Sequence, residues 1–324
     1  MRPAAQPYVI PGLTALALAL TLASLAIGPT GIGLGGGAHA WLILSEIRLP
    51  RTVLGLLVGA ALGLSGAALQ GYLRNPLAEP GIIGISGGAA LGAALAIHTG
   101  LAASLMIGLP LGGLLGAAVA MAVVLWLAGE SGGPITLILA GVAVASLTTA
   151  LIALVLTLSQ NPFAAVEIVY WLMGSLSDRS MTHVWLAAPP ILMGLAVLAH
   201  LGRDLDALTL GEDVAANLGT SLPRLRLLVV TGTALAVGAA TAVSGTIGFV
   251  GLIVPHILRP LVGHVPSRLL PASALGGAAL VLAADLALRV ASPGGGIRLG
   301  VVTALIGTPF FVWLVIATRR ELTP

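Results

Sequence analysis

The stretch RTVLGLLVGAALGLSGAALQG, residues 51–71, carries one ionisable side chain, Arg51, and that residue stands at its edge. About 20 apolar residues wound as a helix span a bilayer core. Similar runs occur at 9–28, 82–100, 104–128, 136–158, 182–201, 226–245, 247–263, 270–290 and 300–317. Over 324 residues, 58% are hydrophobic and 8% are charged, against about 25% charged in an ordinary soluble domain. One core cannot absorb so much apolar surface, so lipid is much of the solvent. The fold class is all-α, a polytopic membrane protein with about ten spanning helices. A β-barrel is excluded because the runs lack period-2 alternation.

The run 247–263 is short and holds Pro255 and His256, so a tilted, broken or partly re-entrant helix are all open readings. The longest polar interruptions, 159–181 and 202–225, leave no room for a large soluble domain. The chain reads as one membrane domain, residues 1–324. The first run has only Arg2 before it and no clean cleavage site, and is expected to stay as a helix rather than act as a removed signal.

Charge narrows the function classes. All fourteen basic residues are arginine, there is no cysteine, and the formal charge is +3. A nucleic-acid surface needs clustered basic residues, and none appears. A nucleotide-binding P-loop needs its lysine, so any ATP-hydrolysing engine is another chain. With ten spans and both termini in the cytoplasm, Arg2, Arg74, Arg203, Arg224, Arg226, Arg259, Arg268, Arg319 and Arg320 fall inside. Arg48, Arg51, Arg179, Arg289 and Arg298 fall outside. That excess favours this orientation by the positive-inside rule.

Glycine, 44 residues, is spaced as small-xxx-small: Gly59, Gly63 and Ala67; Gly84, Gly88 and Gly92; Gly112 and Gly116. Small residues let helices in lipid approach backbone to backbone. Static packing and close approach along a moving path both fit. Arg74, Asn75 and Pro76 follow the second run, and Glu79-Pro80-Gly81 leads into Gly84, which makes a shaped connector. Gly132-Gly-Pro-Ile-Thr136 and the turn Gly294-Gly295-Gly296 read as loops.

Within 202–225, Thr209 with Glu212 three residues on forms a capping-box pattern. A short helix follows, and Gly219 suits its C-cap. Leu210, Val214 and Leu218 share one face, which fits either a connector resting on the membrane surface or a helix docking a partner. In 245–289, His256 has no neighbour at metal-ligand spacing and reads as a structural, hydrogen-bonding residue near a helix break. Asp285 is costly in hydrocarbon unless paired or hydrated. Arg289, four residues on, shares its face, so a local pair or a rim position is favoured over a proton relay. No metal site, HExxH or GxSxG motif is present.

Several blocks together resemble the FecCD-type permease family of ATP-binding-cassette importers. They are Arg48-Leu-Pro-Arg51, Gly66-Ala-Ala-Leu-Gln70, Arg74-Asn-Pro-Leu-Ala-Glu-Pro80, Leu210-Gly-Glu-Asp213, Gly245-Thr-Ile-Gly-Phe-Val-Gly251, Pro255-His256, Leu269-Leu-Pro271, Ala284-Asp285 and Gly300-Val-Val-Thr-Ala304. The similarity runs from about Arg48 to Phe311. It implies ten helices of the type II importer fold and a second permease subunit, as a homodimer or close heterodimer. It also implies two cytoplasmic ATP-binding subunits that hold ATP and Mg, and a substrate-binding protein outside the inner membrane.

By matching position, the resemblance makes 204–222 a cytoplasmic coupling-helix segment, with Leu210, Gly211, Glu212, Asp213 and Gly219 near the ATPase. Arg48, Arg51 and Arg289 become arginines that meet acidic residues of the binding protein. Arg74, Asn75, Pro76, Pro255, His256 and Asp285 are given architectural roles. No cofactor on this chain is implied. The family commonly has Glu and Pro before its last helix, whereas this chain has Gly296 and Arg298, so the external rim differs. The expected cargo is a large metal chelate, iron–siderophore or haem first and corrinoid (vitamin B12) second. A proton-coupled secondary transporter, with Asp285 as its ionisable site, is the alternative of another class.

Overall fold

The computed structural model describes residues 7–28, 31, 32, 40–129, 132–292 and 296–322. Arg2 and the Gly294–Gly295 part of the expected turn lie outside the described residues. The elements are α1 (Val9–Ala26), β1 (Ile27–Gly28) and β2 (Gly31–Ile32), then α2 (Ala40–Ile43), which passes through a π-turn (Leu44–Arg48) into α3 (Leu49–Leu73). A 3-10 turn (Pro80–Ile83), α4 (Ile85–His98), α5 (Leu101–Ser104), α6 (Gly108–Ala128), α7 (Pro134–Leu158) and α8 (Pro162–Leu172) follow. Next come α9 (Met181–His200), α10 (Gly202–Leu208), α11 (Glu212–Asn217) and α12 (Leu222–Thr233), which runs through a second π-turn (Ala234–Gly238) into α13 (Ala239–Ser244). The chain closes with α14 (Val250–Val262), α15 (Pro266–Ala291) and α16 (Leu299–Leu322). The fold is all-α and multi-spanning. Its two-residue strands pair antiparallel, Ile27 with Ile32, inside a connector.

Among the described residues, eight helices are long and apolar enough to cross a membrane. Two of the ten expected runs are shorter. The run 82–100 is spent partly on the 3-10 turn, and Gly84 takes a left-handed φ of 77° before α4 begins. The run 247–263 becomes α14, with Pro255 and Pro260 inside it. At 1.5 Å per residue these helices are about 20 Å long, less than the roughly 30 Å of a hydrocarbon core. The run 51–71 instead extends back to Ala40, because Arg48 and Arg51 are helical residues and not a boundary.

The centre of the bundle is α3 with α12–α13; α1, α6, α7, α9 and α16 turn most of their apolar surface outward. The most extensive helix pairs are α3 with α15 and α4 with α6. Glycine explains both. A Cβ on Gly59 would overlap the Gly277 carbonyl, and one on Gly63 would overlap the Ser273 carbonyl. Gly88 meets Gly116, and Gly92 meets Gly112, in the same way. Apolar burial drives little association in lipid, so close packing of this kind is what holds the pairs together.

Polar side chains satisfy the backbone where helices break. Buried Gln70 donates its amide to the carbonyls of Ala78, at 3.2 Å, and Gly251, at 3.3 Å. Arg259 donates to its Oε1 at 2.6 Å. Pro80 packs against Gly251, so the two broken connectors cover one another. Non-helical backbone at membrane depth is tolerated only when buried in protein in this manner.

Candidate functional site

The charged residues gather at two opposite ends of the bundle. At one end the π-turn rotates Arg48 inward, where it donates to the carbonyls of Leu25 and Ala26 at 2.8 and 2.9 Å. These belong to the last turn of α1, whose carbonyls have no intrahelical partner. Arg289 reaches the same turn, donating to the Ser24 carbonyl at 2.8 Å and to Ser24 Oγ at 3.0 Å. Two cations therefore cap the negative end of α1.

Asp285 sits between Arg51 and Arg289. Arg51 donates to it from Nε and Nη2, at 2.8 to 3.1 Å. Arg289 donates from Nε at 2.9 Å and Nη2 at 2.6 Å. Asp285 is 1% exposed. The local pair expected from the four-residue spacing is present, but Asp285 is a buried group and not a rim group. The sequence also missed its second partner, which comes from α3. Of the three arginines given docking roles by resemblance, Arg48 and Arg289 are buried and Arg51 keeps part of its side chain open.

This cluster borders a cavity of about 590 Å³ lined by Glu46, Arg51, Asp178, Arg179, Arg289 and Arg298, among others. The Nε atoms of Arg179 and Arg298 are enclosed and have no hydrogen-bond partner among the described residues. The Arg298 guanidinium lies over the Tyr170 ring, 5.3 Å from its centroid. Burial pushes the Arg179 pKa below the usual arginine value, Asp178 pulls it back up, and Arg298 pushes it further down. The cavity is thus lined by four guanidiniums together with the carboxylates of Glu46, Asp178 and Asp285.

At the other end, Arg74 terminates α3 in a left-handed conformation with φ 50°. Asn75 Oδ1 accepts from the Leu77 N–H at 2.9 Å, and Pro76 sits inside that turn. Arg74 Nη2 then bonds Glu212 Oε1 at 2.8 Å. This puts the α3 terminus and the 204–222 segment at the same end. Thr209 does not cap the short helix. It belongs to the end of α10, and its hydroxyl donates to the Asp206 carbonyl. Gly211, at φ 109°, occupies the N-cap of α11 instead.

Gly219, at φ 91°, ends α11. Its N–H bonds the Ala216 carbonyl at 2.9 Å and that of Thr220 bonds the Ala215 carbonyl at 3.0 Å, the two bonds of a Schellman cap. Ala215 is buried, while Leu210, Val214 and Leu218 are 62%, 43% and 64% exposed. Asp213 is also exposed. An apolar stripe bounded by acids thus faces outward without a covering element.

His256 makes an edge contact with Phe310, ring centroids 5.6 Å apart, in place of the expected hydrogen bond. Pro255 is buried inside α14. No group of three potential metal-binding side chains occurs among the described residues. The sequence reading gave no contact to Glu79, read only as part of a connector, which accepts from the Phe249 N–H at the start of α14, and none to Asp206, which accepts from the Ser267 N–H at the start of α15. Glu79 stands directly before Pro80, which was the available signal; Asp206, one of two acids in the run Arg203-Asp-Leu-Asp206, offered none.

The comparisons agree with this arrangement. Residues 14–317 match the FecCD transport family. An uncharacterised ABC transporter permease of Bacillus subtilis, YvrB, is 42% identical over 86% of this chain and 80% of its own. The vitamin B12 import system permease protein BtuC of Salmonella paratyphi A is 39% identical over 95% of this chain and 94% of its own. The cobalamin import system permease protein BtuC of Halobacterium salinarum is 40% identical over 85% and 73%. A solved metal-chelate type ABC transporter in an inward-facing conformation superposes with a TM-score of 0.88 at 36% identity, covering 96% of this chain and all of that one. Ten-run hydropathy, glycine-seamed helix pairs, the segment at 204–222 and these matches converge: this chain belongs to the FecCD transport family and is a permease of the metal-chelate ABC importer type.

Proposed function

We propose that this chain is the inner-membrane permease of an ATP-driven corrinoid importer. It works as a pair of permease subunits, with two ATP-hydrolysing subunits on the 204–222 segment and a substrate-binding protein at the Arg51 end. Both termini then lie in the cytoplasm, and ATP and Mg are held by the partners. The observation that carries the corrinoid reading is similarity over 95% of the chain to a vitamin B12 permease and over 85% of it to a cobalamin permease. Iron–siderophore or haem cargo is the second reading; the metal-chelate type of the solved relative fits it and the corrinoid reading alike. Asp285, engaged by the guanidiniums of Arg51 and Arg289, is accounted for as a structural tie between α3 and α15 and not as a carrier site, which supports an ATP-driven cycle over a proton-coupled one.

The test is uptake in cells that lack their own corrinoid importer and express this chain with its ATPase and binding protein. Labelled cyanocobalamin should accumulate with the proton gradient collapsed and ATP retained. Ferric siderophores and haem are run in parallel. Accumulation of one of those and not of cyanocobalamin overturns the cargo; dependence on the gradient overturns the class. At the outer face, Arg51→Gln, which alters the partly open arginine of the three, should slow the encounter with the binding protein most at low salt, since opposed charges steer association. Equal association rates would remove the docking role from this residue.

A further inference from the structure

The start of α15 lacks a cap of its own. Val265 occupies the N-cap and its side chain accepts nothing. Pro266 has no N–H, and the Arg268 N–H turns back to the Val265 carbonyl. That leaves the Ser267 N–H, and its acceptor comes from another element: Asp206 Oδ1 in α10, at 2.8 Å. A carboxylate at this place also meets the positive end of the α15 dipole. The segment that carries Asp206 is closed on itself, because Thr220 Oγ1 donates to Asp204 Oδ1 at 3.3 Å. Gly202 packs on Ser267, where a Cβ would come within 3.0 Å of its Cα.

Helix α15 is 26 residues long, about 39 Å at 1.5 Å per residue. Its middle is joined to α3 backbone to backbone at Gly59–Gly277 and Gly63–Ser273. Its far end is joined to α3 again by Arg51–Asp285. Past Pro271, which lies inside α15 four residues beyond Ser267, these seams hold the helix to α3 as far as Asp285, so a displacement applied at its Ser267 end is carried along them. The hydrogen-bonded link on that route is the bond from Asp206, beside the packing of Gly202 on Ser267.

We propose that Asp206 is the positioning residue that fastens the 204–222 segment to α15, so that movement of the segment is delivered to the Arg51–Asp285–Arg289 cluster at the opposite end. The proposal rests on the reading of 204–222 as the seat of the ATPase subunits. Asp206 itself touches neither cargo nor nucleotide. Its required chemistry is a hydrogen-bond acceptor, not a charge.

The experiment uses the assembled importer in proteoliposomes or cells. Asp206→Ala removes the acceptor, while Asp206→Asn keeps one. The Asp206→Ala importer should keep its ATPase subunits on purification but lose at least about fivefold in ATP-driven uptake, and Asp206→Asn should return to within about twofold of the wild type. The chain has no cysteine, so Asp206→Cys with Ser267→Cys gives one designed crosslink. Its oxidation should restore uptake and its reduction abolish it. Amide exchange in residues 266–270 reads the bond without cargo: Asp206→Ala should speed exchange at Ser267.

Uptake by Asp206→Ala equal to wild type overturns the proposal. So does uptake loss accompanied by loss of the ATPase subunits, which would make Asp206 part of the docking face. Unchanged amide exchange at Ser267 would deny the bond itself. Failure of the cargo reading looks different: the wild type would move no cyanocobalamin while its Ser267 amide stayed protected.

Discussion

Arg74 and Glu212 meet at 2.8 Å across 138 residues of sequence, tying the last residue of α3 to the first turn of α11. Both side chains are nearly half exposed, and an exposed pair of this kind contributes at most about 1 kcal/mol to folding. Its importance lies in where it holds α11. Glu212→Arg should leave membrane insertion intact and reduce both ATPase co-purification and uptake by about fivefold or more. Combining it with Arg74→Glu rebuilds the pair in reverse. Recovery to within about twofold would identify the pair as the working element; no recovery would mean that a partner reads Glu212 directly.

Asp285→Asn should be far more damaging to the fold. It leaves Arg51 and Arg289 facing each other in a buried place without their counter-charge. Breaking a buried pair costs about 3–5 kcal/mol. Thermal unfolding in detergent should show a large loss, and a midpoint within a degree of wild type would contradict the burial argument. Removing Arg51 as well should recover part of that loss, because one cation is then withdrawn with the anion.

Gly63→Leu should split α3 from α15, since even a Cβ there overlaps the Ser273 carbonyl. Folded yield after detergent extraction should fall severely. Gly133→Ala is the control, because no atom lies within 4 Å of a Cβ at that position. The two variants behaving alike would show that glycine content matters through chain flexibility and not through contact.

Glu79 gives a pH dependence. Burial raises its pKa above the usual carboxylate value, and the hydrogen bond from the Phe249 N–H lowers it in part. The native state then binds a proton that the unfolded chain has released. Stability from this group is full below the ordinary carboxylate pKa and is lost as pH rises through the raised value. Glu79→Gln keeps an acceptor for Phe249 and removes the charge. It should raise the unfolding midpoint by about 1–2 °C near neutral pH and flatten its slope against pH above the ordinary carboxylate pKa. A lower midpoint with an unchanged slope would show that the carboxylate is not strained by burial.

How much of this was legible depended on the range of the interaction. The apolar runs, the glycine spacing, the Asp285–Arg289 pair and the glycine C-cap at 219 are local, and each follows from residues within a few positions. The Arg51–Asp285 bond spans 234 residues of sequence and becomes visible only once α3 and α15 are known to touch. The capping box at Thr209 failed for a local reason: α10 already claims Thr209, and Gly211 supplies the turn that starts α11. The inward turn of Arg48 was not legible, because a π-turn, which reorients one residue, leaves no signature in hydropathy. The cargo left no motif in the sequence that separates one metal chelate from another.

The shortness of α14 bears on how the chain is made. Thirteen residues with two internal prolines are too few to enter a bilayer as an independent stop or start signal. Gly263, at φ 89°, and the two residues after it turn the chain straight into α15. Biogenesis must therefore deliver α14 and α15 together as a helical hairpin onto an α3 already in place. A ribosome halted just past Val262 would hold a segment that the translocon has little reason to release into lipid.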